Sequence, residues 1–309
     1  MRIALLVLLI AAGCYILFVL IPAAIFYRIV FTANRKKDFT VLERDNKYFA
    51  PYADIFNEAY DFLCGLPQRT EDLICEDGVT LKCVIYDAKS DKTAVFLHGY
   101  NTTPLNNFCL QASVLYRHGF NAVFLYQRAH GGSGGKPAMG IKEYEDLLYC
   151  LPQIVCKTGA KQVLLYGMSM GCSTVEFAAD RLDPAIVKGM VLDCGFTSPR
   201  DQLNREMKRR GMPAFLISPP LALFARVFAG IDINKNTVDS LRKNRIPALF
   251  LHGGADRTVP ISRGQRNFDA CAGEKYWFSV PEAEHTQCFA AGGEEALRQL
   301  NDFVQKYFL

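Results

Sequence analysis

Gly167-Met168-Ser169-Met170-Gly171 stands between an apolar run, Val163-Leu164-Leu165-Tyr166, and a segment that reads as helix from Cys172 to Arg181. A strand that turns sharply into a helix with serine at the corner needs small flanking residues, and Gly167 and Gly171 meet that need. The hydroxyl then stands exposed above the carboxyl edge of a sheet. A helix N-terminus beneath it favours developing negative charge. Around this corner, strand-like and helix-like segments alternate, the pattern of a parallel sheet with right-handed crossovers.

Two further strands end on residues of the same chemistry. Pro247-Ala248-Leu249-Phe250-Leu251 runs into a loop holding Asp256, and Tyr276-Trp277-Phe278-Ser279-Val280 into one holding His285. A serine hydroxyl is a weak nucleophile and must lose its proton as it attacks. His285 is placed in sequence to accept that proton and return it to the leaving group, with Asp256 holding the imidazole tautomer. The order Ser169…Asp256…His285, with each residue just past a strand, resembles the α/β-hydrolase superfamily. Within it the chain is similar to the serine-aminopeptidase-like and monoglyceride-lipase-like branch, which includes small membrane-anchored bacterial hydrolases.

The resemblance implies an α/β fold: a mostly parallel central sheet flanked by helices, with a short helical cap at about 197–245. It also implies an oxyanion hole. One donor is the backbone N–H of Met170, after the nucleophile. The second is that of Tyr100, in the loop His98-Gly99-Tyr100-Asn101 that follows the strand Thr93–Leu97. His98 and His252 are expected to shape their loops and not to transfer protons. Arg128-Ala129-His130-Gly131-Gly132 lacks the ending of a phosphate cradle and is similar to a structural loop of the family, where Ala129 replaces the usual glycine. Arg128 and His130 are expected in a buried hydrogen-bond set. Neither a cofactor nor a metal is called for.

From Ile3 to Tyr27 the chain carries no charge. That exceeds the roughly 20 residues needed to cross a hydrocarbon core and the roughly 7–15 of a cleavable signal's apolar region. Ala12-Gly13-Cys14 faintly resembles a lipoprotein site, but the apolar run continues far beyond it. Residues 1–31 are therefore expected to form an uncleaved anchor, 32–69 a basic flank and linker, and 70–309 the hydrolase domain. Arg28, Arg35, Lys36 and Lys37 after the span outweigh Arg2 and the amino terminus, which favours a cytoplasmic domain. The 11 cysteines are odd in number and show no C-x-x-C spacing, so reduced thiols are expected and a disulfide framework or zinc site is not. A formal charge of +4 without a basic, aromatic-interleaved helix gives no sign of nucleic-acid binding. Since the triad lies downstream, a chain beginning near Asp38 is expected to be soluble and active.

Asp77-Gly78 between two strand-like runs reads as a hairpin. Ile141, Tyr144, Leu147, Leu148, Leu151, Ile154 and Val155 form one continuous helical stripe, on a helix that Pro152 is expected to kink. The segment 197–245 is rich in apolar residues, among them Met207, Phe215, Leu216, Leu223, Phe224 and Phe228, as a lid over an acyl pocket would be. The expected activity is hydrolysis of acyl, lipid-like carboxylic esters as small-molecule substrates. An aminopeptidase or amidase, with Asp201 or Glu206 holding a substrate amine, is the second reading. A non-catalytic, membrane-tethered interaction module is the third.

Overall fold

A computed structural model describes residues 2–32 and 50–309. The flank residues Arg35, Lys36 and Lys37 and the first part of the linker lie outside the described residues. The chain begins with α1 (Arg2–Tyr15), a π-helical turn (Ile16–Leu20) and α2 (Ile21–Phe31), and continues with α3 (Ala53–Cys64). Next come β1 (Gln68–Ile74), β2 (Thr80–Tyr86), β3 (Lys92–Leu97), α4 (Pro104–Arg117), β4 (Asn121–Leu125) and α5 (Ile141–Thr158). The region around Ser169 holds β5 (Gln162–Met168), α6 (Met170–Ala178) and β6 (Val187–Asp193). Helices α7 (Pro199–Arg209), α8 (Ala214–Ala229) and α9 (Thr237–Leu241) separate β6 from β7 (Ala248–Gly253). The chain closes with α10 (Ile261–Ala270), β8 (Lys275–Val280) and α11 (Cys288–Phe308).

The eight strands form one sheet in the order β1-β2-β4-β3-β5-β6-β7-β8. Strand β2 is antiparallel to β1 and β4, and every other pair is parallel. The hairpin turns where the sequence places it, with Gly78 at φ +79°, a conformation glycine adopts without penalty. Alternate side chains of the central strands enter opposite cores. Val95, Leu97, Val123, Leu125, Val163 and Leu165 pack beneath α5 to α9. Ala94, Phe96, Ala122, Phe124, Leu164 and Tyr166 pack beneath α3, α4 and α11. With both faces covered, the strands read as continuous apolar runs. This is the α/β-hydrolase arrangement.

Helix α5 continues through Pro152. Its missing N–H and ring clash cost about 3 kcal/mol, and buried Leu147, Cys150, Leu151 and Ile154 hold both halves on the sheet against that cost. Proline acts similarly near the N-terminus. Pro22 has no N–H to donate, and just before it the ladder shifts to an i→i+5 bond, Ile21 N–H to Ile16 O.

Arg2–Phe31 is a 30-residue helical run long and apolar enough to cross a bilayer. Its first part has no buried residue. Its last part is different: Ala23, Phe26, Val30 and Phe31 are buried in the core beneath α5 to α9. The N-terminal helix and the domain are therefore not separable in the way the sequence suggests, and a chain beginning near Asp38 would lose part of its core. Phe31→Ala in the full chain should lower the stability of the hydrolase domain by about 3 kcal/mol or more, read as a fall in its thermal midpoint. An unchanged midpoint would mean that the helix is only a tether.

Candidate active site

Ser169 occupies the corner between β5 and α6 with φ 54° and ψ −115°, a left-handed conformation that a non-glycine residue holds only under constraint. The constraint is visible at its neighbours. A Cβ on Gly171 would lie 1.8 Å from the Leu97 carbonyl oxygen, and one on Gly167 2.5 Å from the Gly171 oxygen. The turn is pressed against the end of β3, so only glycine fits either side. Ser169 N–H donates to Asp193 O at 2.8 Å, which pins the corner to β6.

The three strand ends converge. Ser169 Oγ lies 2.9 Å from His285 Nε2, and His285 Nδ1 lies 2.6 Å from Asp256 Oδ2. Asp256 Oδ1 accepts from the N–H groups of Thr258 and Val259, each at 2.8 Å. Its carboxylate thus has a fixed orientation and is fully shielded. With Asp256 accepting at Nδ1–H, the His285 lone pair at Nε2 faces the serine hydroxyl, the tautomer a general base needs. His252 stands behind Asp256, its Nε2 2.9 Å from Val259 O. Burial pushes its pKa below the usual histidine value, so it remains neutral and structural.

The loop after β3 meets Ser169. A Cβ on Gly99 would touch Ser169 Cβ at 3.4 Å. The N–H groups on either side of Tyr100 are engaged, Gly99 with Asn107 Oδ1 at 2.9 Å and Asn101 with His130 Nε2 at 3.0 Å. Tyr100 and Met170 both line the cavity above Ser169. His98 accepts from Gln127 N–H at Nε2, 3.0 Å away, and its Nδ1 donates to Gly99 O at 2.7 Å, which holds this loop in shape. Arg128 is paired with Asp146 and, at 2.9 Å, with Asp77, in the buried set read from the sequence. Ala129 there has φ +63°, where the family's glycine would be unstrained.

The cavity measures about 470 Å³ and is lined by Phe26, Ile29, Val30, Met139, Phe196 and Leu203 besides the side formed by Ser169 and His285. Three of these six come from α2. Tyr100 Oη also donates to Val30 O at 3.1 Å, so the N-terminal helix braces the loop beside Ser169. Sequence reasoning missed these residues. Of the two acids proposed for a substrate amine, Glu206 lines the cavity but is held by Arg209 and Arg210 at 3.1 and 2.8 Å. Asp201 is paired with Arg263 at 3.0 Å. Cys194 brings a sulfur within 4.8 Å of ligand atoms of Asp256 and His285, but burial drives its thiol pKa far up, which keeps it protonated and poorly nucleophilic.

Asp193 lies at the end of β6, fully buried, and among the described residues the Cys194 thiol is the one side chain that offers its carboxyl a donor. Burial pushes its pKa up to about 7. A carboxyl protonated in the fold but ionised when unfolded favours the fold at low pH, and that contribution is lost as pH rises toward 7. The stability difference between wild type and Asp193→Asn should therefore shift against wild type by roughly 2–3 kcal/mol from pH 5 to pH 8. Denaturant titrations at the two pH values measure it, and parallel profiles would contradict it.

A family model described as alpha/beta hydrolase fold matches residues 93–216. Uncharacterized protein YqkD of Bacillus subtilis is 24% identical over 224 residues, covering 69% of this chain and 70% of that protein. Lysophosphatidylserine lipase ABHD12 of Danio rerio is 26% identical over 195 residues, 60% of this chain and 49% of its own length; the match thus spans about half of that relative. Among solved structures, the Pyrococcus furiosus esterase Pf2001 superposes with a TM-score of 0.66 at 21% identity, covering 81% of this chain and 94% of that one.

Proposed function

We propose that this chain, which belongs to the α/β-hydrolase superfamily, is a serine hydrolase that cleaves carboxylic esters of lipid-like acyl groups through an acyl-enzyme. The observation that carries the reading is the Asp256–His285–Ser169 relay at 2.6 and 2.9 Å. Ser169 Oγ attacks the ester carbonyl while His285 Nε2 takes its proton. The backbone N–H groups of Met170 and Tyr100 receive the developing oxyanion, with the α6 N-terminus behind them. His285 then protonates the departing alcohol. Water, deprotonated by the same histidine, attacks the acyl-enzyme and releases the carboxylic acid and free serine.

The apolar lining contributed by α2, Phe196 and Leu203 supports an acyl chain as the group bound. A lysophospholipid lipase and an esterase among the similar proteins point the same way. Within residues 1–31 the exposed first part is the membrane anchor and the last part joins the domain core; the triad-bearing domain is cytoplasmic, with α7 to α9 as its cap. For an amidase, the carboxylate that would hold the amine is neutralised by arginines, and for a non-catalytic module an intact relay has no use. Turnover by the full chain in detergent micelles, measured on p-nitrophenyl acyl esters and on aminoacyl p-nitroanilides, tests the assignment. Ester cleavage is expected. Cleavage of the anilides alone would replace it with the amidase reading, and inactivity toward both would favour the module.

A further inference from the structure

Helix α8 carries an apolar stripe that the domain leaves uncovered. Phe215 is 78% exposed, Leu223 58% and Val227 63%. At 3.6 residues per turn these side chains share one face with Leu216 and Pro219. Ile217, Leu221 and Ala225 on the other side enter the core. Contiguous apolar patches of this kind on soluble domains mark a contact surface.

Its position identifies what it contacts. Helix α8 packs along both α2 and the π-helical turn before it, and the Tyr27 ring lies 6.4 Å from Phe224 and 6.1 Å from Phe228. Phe228 is itself 67% exposed, so the stripe adjoins the N-terminal helix. The length of that helix sets a depth. Every residue from Arg2 to Phe18 is exposed, a stretch of about 25 Å at 1.5 Å per residue, short of the roughly 30 Å of a hydrocarbon core. The remaining thickness falls at the π-helical turn and the start of α2, where α8 packs. Arg28 and Arg226, both exposed, stand next to Tyr27 and Val227, placed for headgroup phosphates.

We propose that the exposed face of α8 lies in the lipid bilayer beside the N-terminal span, so that the domain is seated on the membrane by two elements. This rests on the reading of residues 1–31 as an anchor. Ile29, which is exposed and also lines the cavity, then opens the active site at the lipid surface. The substrate class this favours is an amphiphilic ester drawn from the bilayer.

The test uses the full chain in phosphatidylcholine vesicles. Trp277 is the one native tryptophan, and Leu223→Trp and Val227→Trp each add a second. Emission from the added indole should be quenched by brominated acyl chains and little by aqueous iodide, relative to the parent chain. Quenching by iodide and not by bromolipid would overturn the proposal, as would protection from both, the outcome if a second copy covers the face. A chain that does not float with vesicles would overturn the anchor reading and this proposal together. As a functional arm, Leu223→Glu with Val227→Glu should lower hydrolysis of a vesicle-borne long-chain ester roughly tenfold and leave a short water-soluble ester unaffected. Equal effects on both esters would count against a bilayer role for this face.

Discussion

Ser169→Ala should reduce ester turnover by about 10⁶ while leaving the thermal transition near that of wild type. Alanine has one atom fewer, and the strained corner is imposed by Gly167, Gly171 and the hydrogen bond to Asp193 O, none of which the change touches. What disappears is the only group that forms the acyl bond. His285 and Asp256 stay aligned but have no proton to take. Retention of even a tenth of wild-type turnover in a preparation free of other hydrolases would remove Ser169 from the mechanism.

His285→Ala and Asp256→Ala should each be severe, on the order of 10⁴–10⁶ in turnover, with the histidine the larger loss. Their combination should cost far less than the product of the two. Asp256 acts only through the imidazole it orients, by a 2.6 Å contact with Nδ1, so nothing remains for it to do once His285 is gone. Asp256→Asn is the discriminating variant. It keeps the size but can donate to Nδ1, turning the proton of the ring to Nε2, where it blocks acceptance from Ser169. Additive losses in the His285/Asp256 cycle would indicate two independent roles, one of them structural.

Ser169, Asp256 and His285 could be singled out in the sequence as the proposed triad because each follows a strand that is apolar throughout. In a sheet covered on both faces, those runs are the strongest signal available, and parallel strands bring their ends to one edge. The loop at Tyr100 was legible for the same reason. The contribution of α2 to the cavity was not. A stretch apolar on all sides gives the same pattern whether a side chain meets lipid or protein, so Phe26, Ile29 and Val30 carry no mark that separates them from Ile3 or Leu5. The position of Asp193 was equally silent: Val191-Leu192-Asp193-Cys194 reads as the end of a strand, and its complete burial depends on elements distant in sequence. Arg128 was expected in a buried set, yet its partner Asp146 lies 18 residues further on, a separation with no short-range signature. Pro152 reads as a kink in its helix, and its tolerance came from core contacts on both sides of it.

The central claim is that Ser169 becomes covalently acylated with His285 as its base. Peptide mass mapping of the full chain after exposure to an alkyl fluorophosphonate measures this directly, since the probe's phosphorus is attacked by an activated nucleophile, as a serine hydroxyl is when a base takes its proton. A single adduct on the peptide carrying Ser169 is expected, lost in His285→Ala and blocked by prior incubation with an ester substrate that acylates the enzyme. No adduct on the wild-type chain, an adduct on another residue, or labelling that survives His285→Ala would contradict it.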